Sequence, residues 1–195
     1  MRLTSDPVRR WARLLGLALA ALVLPIAARA APVSTEHLKV ELAPQTAAAV
    51  PGSTLYVAPH QGIQKGWHTY WRNPGDAGQA TQIAWTLPQG WKAGDIVWPT
   101  PQRYMTGPLM NYVYADEVYL PVPIEVPADA RPGQTVSLKA KADFLVCSDI
   151  CIPESAEVAL DLPVSASDAP LSPQHGEAVA KTLAAAPKPE GLAGA

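Results

Sequence analysis

An all-β fold built as an antiparallel sandwich is what this sequence predicts, and three observations predict it. Short segments with polar–apolar alternation recur at roughly ten-residue spacing. Clusters of Pro, Gly, Asn and Asp separate them. The chain carries 21 prolines in 195 residues. A Pro inside a helix costs about 3 kcal/mol, so a helical bundle is excluded.

The elements follow in order. Residues 36–42 alternate and open the series, and residues 55–58 form a second short strand. Residues 67–71 are an aromatic third, ended by the turn cluster 73–78. Residues 83–87 are closed by Pro88-Gln89-Gly90, and residues 95–98 by Pro99-Thr100-Pro101. Residues 112–114 and 118–122 flank Ala115-Asp116-Glu117 and read as a hairpin. Residues 135–142 alternate again after a turn at 127–133, and residues 158–164 are the last strand. Residues 174–186 have few breakers and read as a short helix, followed by a loose, Pro-containing tail. The segment 103–111 differs: Tyr104, Met105, Pro108, Leu109 and Met110 show no strand period. It reads as an apolar loop that covers or binds something.

At the N-terminus Arg9, Arg10 and Arg13 precede the apolar run 14–28, and Ala28-Arg29-Ala30 follows. This is the pattern of a cleavable secretory signal peptide. The run is shorter than the ~20 residues that span a bilayer, and Pro25 interrupts it. Removal of residues 1–30 takes away five arginines and Asp6 and leaves 165 residues at a formal charge of −6. The expected organisation is a signal peptide at 1–30, a sandwich domain at 31–168, and a short helix and tail at 169–195. An exported chain works where disulfides persist.

Several function classes are excluded. Charged residues are 16% and the net charge of the whole chain is −2, with no basic run, so no nucleic-acid partner is expected. No glycine-rich phosphate loop and no Gly-x-Ser-x-Gly elbow occur, which removes nucleotide binding and hydrolase chemistry. No His-x-His or His-x₃-His pair occurs, which weakens a catalytic zinc reading, and no resident cofactor is expected.

The chemistry lies at Cys147 and Cys151, four positions apart in Val146-Cys147-Ser148-Asp149-Ile150-Cys151-Ile152-Pro153-Glu154. In a straight strand their Cα atoms would stand about 13 Å apart, and a disulfide needs them within about 7 Å. If they pair, the backbone turns between them, and Ser148-Asp149 is good turn chemistry. A bridge across so short a loop stabilises by only about 2 kcal/mol. A redox-active pair, a structural bridge and a thiolate copper site with a His or Met all remain open. Asp149 and Glu154 flank the pair with no adjacent Lys or Arg. Carboxylates there would raise the thiol pKa, which suits a reductant that reacts when a partner docks.

Four segments together resemble a known family. They are Gly66-Trp67-His68-Thr69-Tyr70-Trp71-Arg72-Asn73-Pro74-Gly75-Asp76-Ala77-Gly78, Ile83-Ala84-Trp85, Trp98-Pro99-Thr100-Pro101 and the cysteine segment. The family is the N-terminal periplasmic domain of DsbD-type thiol:disulfide interchange proteins, nearest the suppressor-of-copper-sensitivity (ScsB) branch. The resemblance covers residues 34–164. It implies an immunoglobulin-like sandwich that relays electrons from a membrane-embedded thiol reductase module. The recipients would be periplasmic thioredoxin-like or disulfide-isomerase proteins. It implies that Cys151 forms the mixed disulfide with partners and that Cys147 resolves it. It also implies a cap loop over the disulfide, matched by residues 103–111 and so by Tyr104, Met105, Leu109 and Met110. The cysteine spacing is shorter than in the best-known members, the cap has no Phe, and no membrane electron-transfer region follows. The copper branch keeps a second reading in view, a periplasmic Cu(I)-binding module using the same cysteines.

Of the other candidates, His68 reads as a satisfied structural histidine, His37 and His60 as exposed, and His175 as part of the tail. Met105 and Met110 read as flexible apolar cover for the sulfurs. Trp67, Trp71, Trp85, Trp91 and Trp98 read as core and rim aromatics.

Overall fold

The computed structural model describes residues 28–187; all but the last three residues of the expected signal peptide lie outside them. The strands in chain order are β1 (Arg29–Ala30), β2 (Val33–Ser34), β3 (Leu38–Pro44), β4 (Thr54–Ile63), β5 (His68–Gly75), β6 (Gln82–Thr86) and β7 (Lys92–Ala93). They continue with β8 (Gln102–Thr106), β9 (Leu109–Ala115), β10 (Glu117–Tyr119), β11 (Val122–Glu125), β12 (Thr135–Cys147) and β13 (Cys151–Pro163). The helix α1 (Gly176–Ala185) follows. No helix among the described residues is long and apolar enough to cross a membrane.

Two antiparallel sheets face each other. The first runs β1-β13-β12-β5-β9-β8, with β6 also on β12; the second runs β2-β3-β4-β11-β7, with β10 also on β4. This is the predicted sandwich, and strand alternation builds its core. In β12 the core-facing set is Leu138, Ala140, Ala142, Phe144 and Val146; in β13 it includes Ala156, Val158, Leu160 and Leu162. They pack against Leu38, Val40 and Leu42 of β3 and Leu55 and Val57 of β4 from the other sheet. Trp91 is buried in this core, and Trp67, Trp71, Trp85 and Trp98 pack at its rim. The helix lies on the outer face of the second sheet, where Val179 closes on Ala43 and Ala58 beside Tyr56, Tyr119 and Leu183.

Three local expectations give way. Residues 95–98 are not a strand. The chain leaves β7 along β11 through two single bonds, Gly94 N–H to the Pro123 carbonyl and Val97 N–H to the Pro121 carbonyl. Both partners are prolines with no N–H to return, so the ladder cannot continue. Residues 112–122 are not a hairpin: β9 lies in the first sheet and β10 in the second. Both edges of β9 are taken, by β5 and by β8, so the chain crosses between sheets at Asp116. Asp116 makes that turn with φ at 63°, a left-handed conformation that Asp tolerates. Residues 103–111 are not a loop but the β8–β9 hairpin, turning at Gly107-Pro108. All five residues of β8 are exposed, so this edge strand has no half-buried face to leave a period in the sequence.

The bulge between Tyr70 and Gly75 in β5 depends on glycine. Gly75 has φ at 91°, and a Cβ there would stand 2.2 Å from the Met110 carbonyl oxygen. Gly66 has φ at 86° and nothing within 4 Å. Gly66→Ala should therefore cost about 1–2 kcal/mol, from its backbone conformation alone. Gly75→Ala should cost roughly 2 kcal/mol more. Urea unfolding of the two variants checks this; equal losses contradict it.

Candidate functional site

The strands β12 and β13 form one long hairpin, and its last register pair is Cys147 opposite Cys151. Residues 148–150 make the turn, with Ser148 N–H bonded to the Ile150 carbonyl at 2.9 Å. The two Cα atoms stand 4.1 Å apart and a disulfide joins the sulfurs. That separation is close to the ~4.5 Å of a non-hydrogen-bonded antiparallel pair. The hairpin therefore brings the thiols together with no further loop.

The two cysteines differ in access. Cys147 is 1% exposed, packed with Tyr70 and Val113 beside Leu145. Cys151 is exposed, and its neighbour Ile150 is 62% exposed. Exposure at the pair is thus unequal, open at Cys151 and closed at Cys147.

Behind the disulfide runs a short polar chain. His68 opens β5 as the register partner of Cys147. Its Nε2 lies 3.2 Å from the Tyr70 hydroxyl, which in turn lies 3.9 Å from Cys151 Sγ. Burial lowers the His68 pKa. Burial, and then the neighbouring Tyr104, raise that of Tyr70. At neutral pH the imidazole is thus uncharged and the phenol keeps its proton. A sulfur in a disulfide has no hydrogen, so across the 3.9 Å contact only Tyr70 can donate. Gly78 makes room for this phenol: with φ at 105°, a Cβ there would meet the Tyr70 ring at 2.2 Å. Sequence reading passed over Tyr70. The available signal was the i, i+2 spacing from His68, which places both on one strand face.

Of the expected cap residues, Tyr104 reaches the site, its ring 4.7 Å from that of His68. Met105 and Met110 are opposite partners in the hairpin. Met105 and Leu109 are exposed and Met110 is half-buried.

Glu154 is turned away from the sulfurs. It accepts hydrogen bonds from the Thr35 hydroxyl, from His37 N–H at 3.3 Å and, at 2.5 Å, from His37 Nδ1. His37 is buried, with its ring stacked on Trp67 at 3.6 Å. The expectation of an exposed His37 is corrected, as is that of Glu154 acting on the thiols. His60 and His175 are also not free: His60 is partly buried and His175 buried. Asp149 alone of the two carboxylates remains exposed near the pair.

With this geometry in hand, comparison with known proteins is decisive. The family described as "Thiol:disulfide interchange protein DsbD, N-terminal" matches residues 34–163. The chain belongs to this family. Among solved structures, the N-terminal periplasmic domain of ScsB from Proteus mirabilis superposes with a TM-score of 0.60 at 22% identity. That alignment covers 83% of this chain and 60% of the ScsB domain. The likeness is one of fold, the immunoglobulin-like sandwich. A yeast GGA1 GAE domain aligns with 67% of this chain and 97% of its own at 11% identity; its TM-score of 0.34 is too low to bear on the fold. No curated protein sequence matches the chain.

Two outcomes follow from the geometry around the disulfide. Reduction of the disulfide should lower unfolding free energy by only about 2 kcal/mol, leaving the domain folded, because the closed loop is so short. Circular dichroism with and without reductant reads this; unfolding on reduction contradicts it. The buried His68 makes a second. Its folded pKa lies below the unfolded value, so stability holds above about pH 6.5 and falls as acid protonates the unfolded chain first. A His68→Gln variant should lose less stability between roughly pH 7 and pH 5 than the parent. Equal pH slopes contradict the assignment.

Proposed function

We propose that this chain is a periplasmic thiol:disulfide relay domain working through Cys147 and Cys151. The observation that carries the reading is the unequal access of the two sulfurs at the hairpin tip, one exposed and one buried. In the reduced domain the Cys151 thiolate attacks a disulfide of an oxidised thioredoxin-like or disulfide-isomerase partner. A Cys151–partner bond forms, the partner's own bond breaks, and the released partner thiolate takes a proton. Cys147, deprotonated, then attacks Cys151 Sγ, re-forming the internal disulfide. The partner leaves as a dithiol, two electrons richer. The reverse exchange with a membrane-embedded thiol reductase module restores the domain.

Tyr70 is placed to hydrogen-bond the Cys151 thiolate, and a charge-assisted bond of this kind favours the ionised sulfur. Tyr104 and Leu109 share the face of the β8–β9 hairpin that meets His68 and form the cap side that a partner meets first, while Met105 and Met110, paired across the hairpin, lie on its other face. Export by residues 1–30, a working domain at 31–168 and a helical tail at 169–195 complete the proposal. The alternative, Cu(I) binding by the reduced pair, rests on the soft sulfur donors.

Equilibration in thiol redox buffers followed by thiol trapping tests the relay. The reading expects a midpoint above about −300 mV and reduction by a dithiol partner. A pair that stays oxidised below that potential and resists every dithiol partner contradicts it. Stoichiometric Cu(I) uptake by the reduced protein, abolished in Cys151→Ser, would instead favour the copper reading.

A further inference from the structure

A second cluster of chemistry-bearing side chains stands on the outer face of the other sheet. Glu41 on β3, His60 on β4 and His175 just before α1 each place one donor atom within 4.8 Å of the other two. Glu41 Oε1 is 3.3 Å from His60 Nδ1 and 3.5 Å from His175 Nε2. Donors held about 2.1 Å from a tetrahedral centre stand roughly 3.4 Å apart, so both separations match ligand edges.

The other nitrogen of each imidazole is engaged. His60 Nε2 lies 3.2 Å from Glu117 Oε2, and His175 Nδ1 lies 3.2 Å from the Tyr119 hydroxyl. Tyr119 also stacks on the His60 ring, centroids 4.2 Å apart and planes 8° from parallel. Orienting groups behind ligand imidazoles fix the tautomer and aim the free lone pair, as metal-site histidines require.

One observation points past a tether of hydrogen bonds. His175 is 8% exposed, yet its Nε2 is buried and, among the described residues, makes no hydrogen bond. The residue occupies the N-cap position of α1 but makes no capping bond. Its ring instead faces Glu41 across 3.5 Å. A buried imidazole nitrogen left unpaired costs about 1–3 kcal/mol unless something else takes its lone pair. The helix holds it there: Ser172 N–H bonds to the Gln45 carbonyl, and a Cβ on Gly176 would stand 2.7 Å from the Gln45 carbonyl oxygen. An open cleft of about 450 Å³, lined by Lys181, Thr182 and the two residues that engage the imidazoles, Glu117 and Tyr119, lies beside the cluster.

We propose that Glu41, His60 and His175 bind a divalent first-row transition-metal ion of the Zn²⁺ class, leaving a fourth position to water. Two imidazoles and a carboxylate suit such an ion and not Mg²⁺ or Ca²⁺, which take oxygen ligands. The site uses neither cysteine and is independent of the relay reading. Bound metal would clamp α1 to the sheet.

Zinc titration of the oxidised full chain, by calorimetry and by thermal unfolding, tests this. In that state both sulfurs are bonded and neither is a ligand. The expected result is one Zn²⁺ per chain, a raised Tm, and no response to Mg²⁺. Glu41→Gln, His60→Gln and His175→Gln should each weaken binding by at least about tenfold, and Tyr119→Phe by up to roughly tenfold. The Cys147→Ser/Cys151→Ser double variant should bind zinc as the parent does. Circular dichroism of each metal-free variant confirms that the fold and helix persist, and Glu41→Gln serves if either histidine variant fails to fold. No binding at about 100 µM Zn²⁺, or an affinity unchanged in all three ligand variants, overturns the proposal.

Discussion

The pairing of β12 with β13 is the interaction on which the rest of the molecule depends. Each strand has 13 residues, and their register runs unbroken from Thr135 opposite Pro163 to Cys147 opposite Cys151. One side of this ribbon supplies much of the core, through Leu138, Phe144 and Val146 on one strand and Val158, Leu160 and Leu162 on the other. The same register that buries those residues brings the two sulfurs together at the tip. A slip of one residue would turn the apolar side to solvent and separate the cysteines, so packing energy holds the chemistry in place. The disulfide is therefore a product of the fold more than its support.

A buried polar tie fixes this hairpin against the opposite sheet. Glu154, three residues beyond Cys151, reaches Thr35 and His37 in the segment between β2 and β3. Removing either partner of such a pair leaves the other buried without its hydrogen bond, at a cost of about 1–3 kcal/mol. The tie leaves the sulfurs with two unlike surroundings. Cys147 faces Tyr70 and Val113, while Cys151 faces solvent with the Tyr70 phenol behind it. A thiol exchange needs one accessible sulfur and one held close enough to resolve the mixed disulfide. The hairpin gives two residues of the same type the unequal exposure that the proposed exchange requires.

Much of this was legible in the sequence, and the rest was hidden for physical reasons. Alternation in residues 36–42, 135–142 and 158–164 marks the strands whose one face is buried. The turn chemistry of Ser148-Asp149 marks where the chain can reverse between the cysteines, though the strands run further toward it than the alternation showed. The edge strand β8 left no trace because both its faces meet solvent, and the crossing at Asp116 looks locally like any turn. Which sheet a strand joins is decided by the edges left open, and β9 had none. The Glu154–His37 pair and the Glu41, His60, His175 cluster join residues separated by 19 to 134 positions. No local period records contacts of that range. His68 and Tyr70 were closer to view, since strand spacing aligns them, but only the fold sets them against a sulfur.

The central claim is that the fold makes Cys151 the exchanging sulfur and Cys147 the resolving one. Trapping the mixed disulfide tests it most directly. Each single Cys→Ser variant, fully reduced, is mixed with an oxidised thioredoxin-like protein, and the linked species is mapped by mass spectrometry. The account predicts that Cys147→Ser accumulates a covalent complex through Cys151 and that Cys151→Ser accumulates none. A complex formed through Cys147 with equal or greater yield would contradict it.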